Sequence, residues 1–155
     1  MFKQMRRNDR QCTREYAITI LETCEYGVLA TVNRDEYPYG VPLSYVFKDS
    51  HIYFHSATTG HKLENIASNS KVSFCVVGDK KTLPEKFTTS YESVIVFGQA
   101  SEVTGEEKKD ALLALVAKYS PDYLEKGKQY IENSGNQTTV MKITIEQITG
   151  KVRPQ

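Results

Sequence analysis

Residues 26–55, YGVLATVNRDEYPYGVPLSYVFKDSHIYFH, decide the architecture. A nearly continuous apolar run over 26–32 gives way to Asn33-Arg34-Asp35-Glu36. A second run over 37–47 then closes at Lys48-Asp49-Ser50, before a short third run over 51–55. Runs of this length bounded by turn residues read as strands. Parallel neighbours need a crossover of a dozen or more residues, and these connections are far shorter, so the strands pair antiparallel. Pro38 and Pro42 cannot donate to a ladder, which puts parts of the second strand at an edge or a bulge.

Toward the N-terminus, residues 14–25 carry Ala17, Ile18, Leu21 and Cys24 at helical spacing behind Thr13 as N-cap, and predict an amphipathic helix. Toward the C-terminus, a short helix is expected over 59–67 and a strand over 71–77, where Val72, Phe74 and Val76 alternate with Ser73 and Cys75. Residues 78–90 are polar, Lys-rich and interrupted by Pro84, and are expected to form a long exposed loop. A strong strand follows over 91–103, with Gly98 as a bulge or close-approach point. Thr104 and Glu107 have the spacing of a capping box for a helix burying Leu112, Leu115, Val116 and Tyr119. Ser120-Pro121 starts a further helix to about residue 132, and a last strand runs over 138–148. The expectation is a single domain over residues 1–155, mainly β: a six-stranded antiparallel barrel with small flanking helices.

Composition narrows the function classes. A chain of 155 residues with net charge +1, 25% charged and 39% hydrophobic residues has no basic excess to suit nucleic acid or an anionic membrane. No run reaches the roughly 18 apolar residues of a membrane span, and the charged N-terminal decapeptide leads into no signal-peptide core. Cys12, Cys24 and Cys75 are odd in number and irregularly spaced, which suits a reducing compartment, so the expected location is the cytoplasm. Cys24 and Cys75 fall at apolar-patterned positions and read as structural thiols.

The segment most suggestive of binding is 56–62, SATTGHK. Ser56, Thr58 and Thr59 offer hydroxyls, Gly60 a flexible backbone, and His61 and Lys62 two basic side chains in the first turn of the following helix. That turn already carries unpaired N–H groups and a partial positive charge, so sequences normally place Asp or Glu there. Cations at this position are favourable when an anion such as a phosphate completes the site, and tolerable otherwise when solvent screens them. The three histidines, His51, His55 and His61, lie within eleven residues. No cysteine pair sits at ligand spacing beside them, so no metal site is expected. His51 reads as a turn residue, and His55 as a polar strand end able to contact a ligand or donate a proton. The tyrosines at 37, 39, 45 and 53 read mostly as cross-strand pairs, with one or two available to wall a planar ligand. No motif for nucleophilic or metal-assisted catalysis is present, so any difficult chemistry would belong to a bound organic cofactor.

Four blocks, GVLATVNRDEYPYGVPLSYVF, IYFHSATTGHKLENIASNSKVSF, YESVIVFGQASEV and the terminal ITGK, resemble the FMN-binding split-barrel superfamily over residues 5–151. The branch they are most similar to is the pyridoxamine 5′-phosphate oxidase-related proteins grouped with 5-nitroimidazole resistance reductases. The resemblance implies a six-stranded split barrel that forms a homodimer, with FMN in clefts at the subunit interface. By similarity, Val28, Leu29, Ala30 and Thr31 would run beside the isoalloxazine and offer backbone hydrogen bonds, and Leu43, Ser44 and Tyr45 would flank the ring and ribityl chain. His55, Ser56 and Ala57 with Gly60, His61 and Lys62 would hold the phosphate, with Asn65 and Ser93 as further contacts and His55 near flavin and substrate. The flavin strand lacks the arginines of true pyridoxamine phosphate oxidases, so vitamin B6 oxidation is not expected. The resulting expectation is an FMN-dependent oxidoreductase that passes electrons from a nicotinamide nucleotide to a small acceptor such as a nitroaromatic. The alternative is a non-catalytic flavin- or haem-binding protein serving storage, sensing or transfer.

Overall fold

The computed structural model describes residues 2–154. After a single 3-10 turn, helix α1 (Arg14–Thr23) begins behind Thr13, whose hydroxyl accepts from Tyr16 N–H at 3.2 Å. Seven strands follow, β1 (Gly27–Val32), β2 (Pro38–Leu43), β3 (Val46–Lys48), β4 (His51–Ser56), β5 (Lys71–Leu83), β6 (Thr88–Val103) and β7 (Thr139–Arg153). Helix α2 (His61–Ser68) joins β4 to β5, and α3 (Gly105–Tyr119) and α4 (Leu124–Ser134) lie between β6 and β7.

All seven strands form one antiparallel sheet in the order β2-β1-β5-β6-β7-β4-β3, one more strand than the sequence predicts. The run over 37–47 is two strands, because Ser44 and Tyr45 leave the ladder: Tyr45 is fully buried, and its hydroxyl donates to Leu21 C=O at 2.5 Å. β2 and β3 are the two outer edges of the sheet, yet only these two residues separate them. At 3.80 Å per Cα step, Leu43 and Val46 stand no more than about 11 Å apart, so the open sheet curls until its edges nearly meet. This is a split barrel with Tyr45 set in the split. Pro38 and Pro42 lie on β2, at an edge as their missing N–H groups require.

The barrel is filled by Leu29, Ile52, Phe54, Phe74, Val94, Val96 and Ile143, all fully buried, together with Ala17, Ile20 and Leu21 from α1. Tyr45 meets Phe74 edge-on at 4.9 Å between ring centres. β4 is buried on both faces, since Ile52 and Phe54 point inward while Tyr53 packs outward under Ala111 and Leu115 of α3. At Gly98 the β6–β7 register shifts, and a Cβ there would stand 2.2 Å from Thr144 C=O, so the close approach requires glycine.

Four expectations are corrected. Residues 78–90 are not a loop: β5 and β6 continue as a hairpin paired at Lys80–Tyr91 through Leu83–Thr88, turning at Pro84–Lys86. Its Lys side chains point to water while β-branched Thr82, Thr88 and Thr89 favour the ladder, a composition easily mistaken for loop. The last strand runs on to Arg153 rather than ending at 148. The Thr104 capping box does not form, because the Glu107 carboxylate instead accepts from Lys142 Nζ at 2.8 Å and Tyr53 Oη at 2.9 Å. Charge-assisted bonds of that kind are stronger than a neutral cap bond. On α3 the buried residues are Ala111 and Leu115, whereas Leu112 and Val116 are half-buried and Tyr119 is exposed.

Candidate functional site

The anion segment is continuous with β4: His55 and Ser56 end the strand, Ala57 to Thr59 form an exposed loop, and α2 opens at His61. Gly60 is the N-cap at φ 144°, a conformation open to glycine, and no side chain caps the helix. Leu63 and Glu64 N–H both turn back to Gly60 C=O, so the backbone donors of the two residues ahead of them, His61 and Lys62, are left without a partner inside the helix. Lys62 is half-buried, and His61 is exposed with its ring on Tyr39 at 4.1 Å between centres. Ser56 donates its hydroxyl to Ala57 C=O at 2.8 Å.

α2 is seated on β1 by one buried polar contact: Asn65 Nδ2 donates to Thr31 Oγ1 at 2.9 Å. Both residues are nearly inaccessible, so they position the helix against the strand. Leu29 and Tyr45 are fully buried and face the core. β1 is paired with β2 along its length and with β5 from Val28 to Ala30, so the backbone of that stretch is engaged in ladders. What it presents outward is the side chains of Val28 and Ala30. Ser93 stands on the same outer face, in register with Val77 and Lys151, two strands from β1 and apart from α2.

That outer face is unusually apolar. Val28, Val77, Ile95 and Phe97 are all exposed on it, and Phe2 stacks on Phe97 at 5.3 Å. Gln147, paired with Phe97, holds a buried Oε1 without a hydrogen-bond partner among the described residues.

At the split, Ser44 and His55 share one wall of a cleft of about 410 Å³. Leu112, Leu115, Val116 and Tyr119 of α3 with Tyr130 and Ile131 of α4 form the rest, a set that no sequence motif joins to a site. The signal is the helical spacing of Leu112, Leu115, Val116 and Tyr119, a pattern that a core-facing helix shares. The wall is fixed by a polar staple at the end of α3. Tyr119 Oη accepts from Tyr45 N–H at 2.9 Å and donates to Glu25 C=O at 2.5 Å. Lys118 Nζ donates to Cys24 C=O at 2.7 Å and to Tyr45 C=O at 3.0 Å, and lies 4.0 Å over the Tyr45 ring. Burial holds the Lys118 ammonium below the usual lysine range, and burial likewise pushes the Tyr45 hydroxyl well above its own.

Cys12, Cys24 and Cys75 are unpaired and half-buried, and burial pushes each thiol up, away from thiolate chemistry. Among the described residues no three His, Cys, Asp or Glu side chains gather as a metal site, and no helix is long and apolar enough to cross a membrane.

A curled antiparallel sheet with an uncapped helix end beside its split defines a split-barrel protein. Residues 13–152 match the pyridoxamine 5′-phosphate oxidase family, and the chain belongs to it. No curated protein matches the sequence. Among solved structures, a candidate 5-nitroimidazole antibiotic resistance protein from Bacteroides thetaiotaomicron is 23% identical, with a TM-score of 0.78 over 90% of this chain and 84% of that one. An FAD-binding protein from Mesorhizobium loti is 26% identical, with a TM-score of 0.65 over 93% and 97%. An FAD- and haem-binding protein from Mycobacterium smegmatis is 18% identical, with a TM-score of 0.82 over 94% and 74%.

Proposed function

We propose that this protein is a cytoplasmic, homodimeric FMN-dependent oxidoreductase that passes electrons from a nicotinamide nucleotide to a small acceptor such as a nitroaromatic. The observation that carries the reading is the start of α2, where Gly60 leaves the helix end uncapped and the basic residues Lys62 and His61 stand in the first turn. A phosphomonoester fits that end: orphaned N–H groups, the Ser56, Thr58 and Thr59 hydroxyls and the Lys62 ammonium supply the kinds of donor it requires. Bound FMN would supply the two-electron chemistry that no side chain here can perform.

The remaining roles fall to the protein. Thr31 and Asn65 keep α2 in register with β1, so that phosphate and ring sites hold a fixed spacing. Val28 and Ala30 offer an apolar outer surface beside the split. His55 can deliver one of the two protons that a nitro group consumes, with two electrons from the donor, on its way to the nitroso level and water. A second copy of the chain would cover Val28, Ile95 and Phe97, which supports a dimer whose interface completes the flavin cleft.

The test begins with the spectrum and mass of the purified protein. Flavin bands that survive desalting, in a species of twice the chain mass, are expected. Lys62→Ala removes a charge-assisted bond of about 1.5–3 kcal/mol, hence roughly 10- to 150-fold in FMN affinity, while Lys62→Arg retains most of it. Protein that stays colourless when FMN is added ends this reading. The haem-binding role of the Mycobacterium smegmatis neighbour favours one second reading, a non-catalytic haem or flavin carrier. Such a carrier would bind its ligand and show no turnover with reduced nicotinamide and nitro compounds.

A further inference from the structure

Beyond the anion segment, the cleft between α3, α4 and the split has the composition of a second, adjoining compartment. Its apolar side is Leu112, Leu115, Val116 and Ile131, and none of its lining residues is Lys, Arg, Asp or Glu. A nucleotide phosphate has no Lys or Arg to meet there. Its volume of about 410 Å³ falls within the roughly 300–1,000 Å³ of small-molecule sites. Polar groups line the sheet side as Ser44 and His55, with Ser120, Ser134 and Thr138 near the ends of the helices. Neither the His55 ring nor the Ser44 and Ser134 hydroxyls make a side-chain hydrogen bond among the described residues, so they remain able to bind a polar substituent.

α4 points the same way. It buries no residue, and Ile131 on its inner side faces the cleft rather than core. Close seating of the helix depends on Gly127, where a Cβ would stand 2.4 Å from Val116 Cγ1. The fold thus brings a helix to this position without filling the space beneath it.

We propose that this cleft binds an uncharged aromatic molecule of one or two rings, its ring between α3 and α4 and its polar substituent against His55 and Ser44. Resting on the flavin reading, that molecule is the electron acceptor, because Ser44 and His55 are the two residues common to the cleft and the expected flavin site. Specificity follows from the lining: an apolar ring is accepted, and an anionic group is refused for want of a Lys or Arg.

Titration of the full-length protein with 2-naphthol and with naphthalene-2-sulfonate tests this without turnover. The naphthol is expected to bind at least tenfold more tightly than the sulfonate. Ile131→Trp, which fills the cleft from the outermost helix, should weaken naphthol binding at least tenfold and leave FMN affinity within twofold. Ser134→Leu, on the rim, gives the same reading should the tryptophan disturb α4. Equal affinity for the two probes, or naphthol binding indifferent to both substitutions, overturns the proposal. Should the probes discriminate as expected in a protein that takes up no flavin, the cleft stands and the flavin reading alone falls.

Discussion

The bond from Asn65 to Thr31 offers the sharpest test of how the helix end is held. It is buried, spans 2.9 Å, and joins the helix carrying the cations to the strand expected beside the flavin. Asn65→Leu keeps the volume but sets methyl groups against the Thr31 hydroxyl, stranding a buried polar atom at a cost of about 1–3 kcal/mol. Thr31→Val strands the Asn65 amide for a similar cost. For a chain of this length each kcal/mol lowers the melting temperature by roughly 2–4 °C, so about 2 kcal/mol corresponds to roughly 4–8 °C. The double variant Thr31→Val/Asn65→Leu replaces both partners with apolar groups and should recover most of the loss, giving a coupling of about 1–3 kcal/mol. Urea and thermal unfolding followed by circular dichroism measure all four proteins, and FMN titration of each reports whether the helix end has moved. Single variants within about 0.5 kcal/mol of the parent, or a double variant as unstable as the sum, would refute the positioning role.

Other outcomes follow from equally specific contacts. Gly98→Ala forces a methyl against Thr144 C=O, 2.2 Å away, and should destabilise by about 1–3 kcal/mol in urea unfolding. Phe87 is 98% exposed at φ 48°, so Phe87→Gly should relieve strain and raise stability by about 1 kcal/mol. Glu107 is held below the ordinary glutamate value chiefly by its hydrogen bond from Lys142, then by Tyr53. Its contribution is therefore complete above the unfolded value of 4.5 and lost as pH falls through the lower folded one. Urea midpoints of the parent and Glu107→Gln should differ at pH 7 and converge in acid. Tyr53, pushed up to about 12 by burial first and by Glu107 second, contributes in the opposite sense. Its share is present below pH 10 and fades as pH rises toward 12, and Tyr53→Phe should remove that alkaline loss.

Periodicity made the inward face of β5 legible, because Val72, Phe74 and Val76 alternate with residues that face outward. Thr13 as the α1 cap and Gly98 as the close approach were legible for the same reason, each being a local constraint on one backbone position. The hairpin at 78–90 was not, since ladder bonds are made by the backbone and Lys side chains conceal them. The sequence places Tyr45 on a strand, and the resemblance puts it beside the flavin. Its burial depends on Leu21, Phe74, Lys118 and Tyr119, contacts that local spacing cannot express. In the site, charge order exposed the start of α2, whereas the α3–α4 cleft was hidden because an apolar helix face looks alike whether it meets core or empty space.

The two residues between β2 and β3 explain why the anion segment and the cleft lie together. A sheet of seven strands could lie open with its edges far apart, but Ser44 and Tyr45 bind edge to edge across the split. Tyr45 closes the inside by reaching Leu21, and Ser44 is left facing outward beside His55 at the end of β4. From His55 the chain runs directly into the phosphate-type loop and α2. A single short link therefore sets the curl of the sheet, the plug of the core and the shared wall of both compartments. Lengthening it by two glycines after Ser44 should let the edges separate while leaving every ladder intact. The barrel would then loosen at its split, and flavin and naphthol affinity should fall together, a joint loss that independent sites would not show.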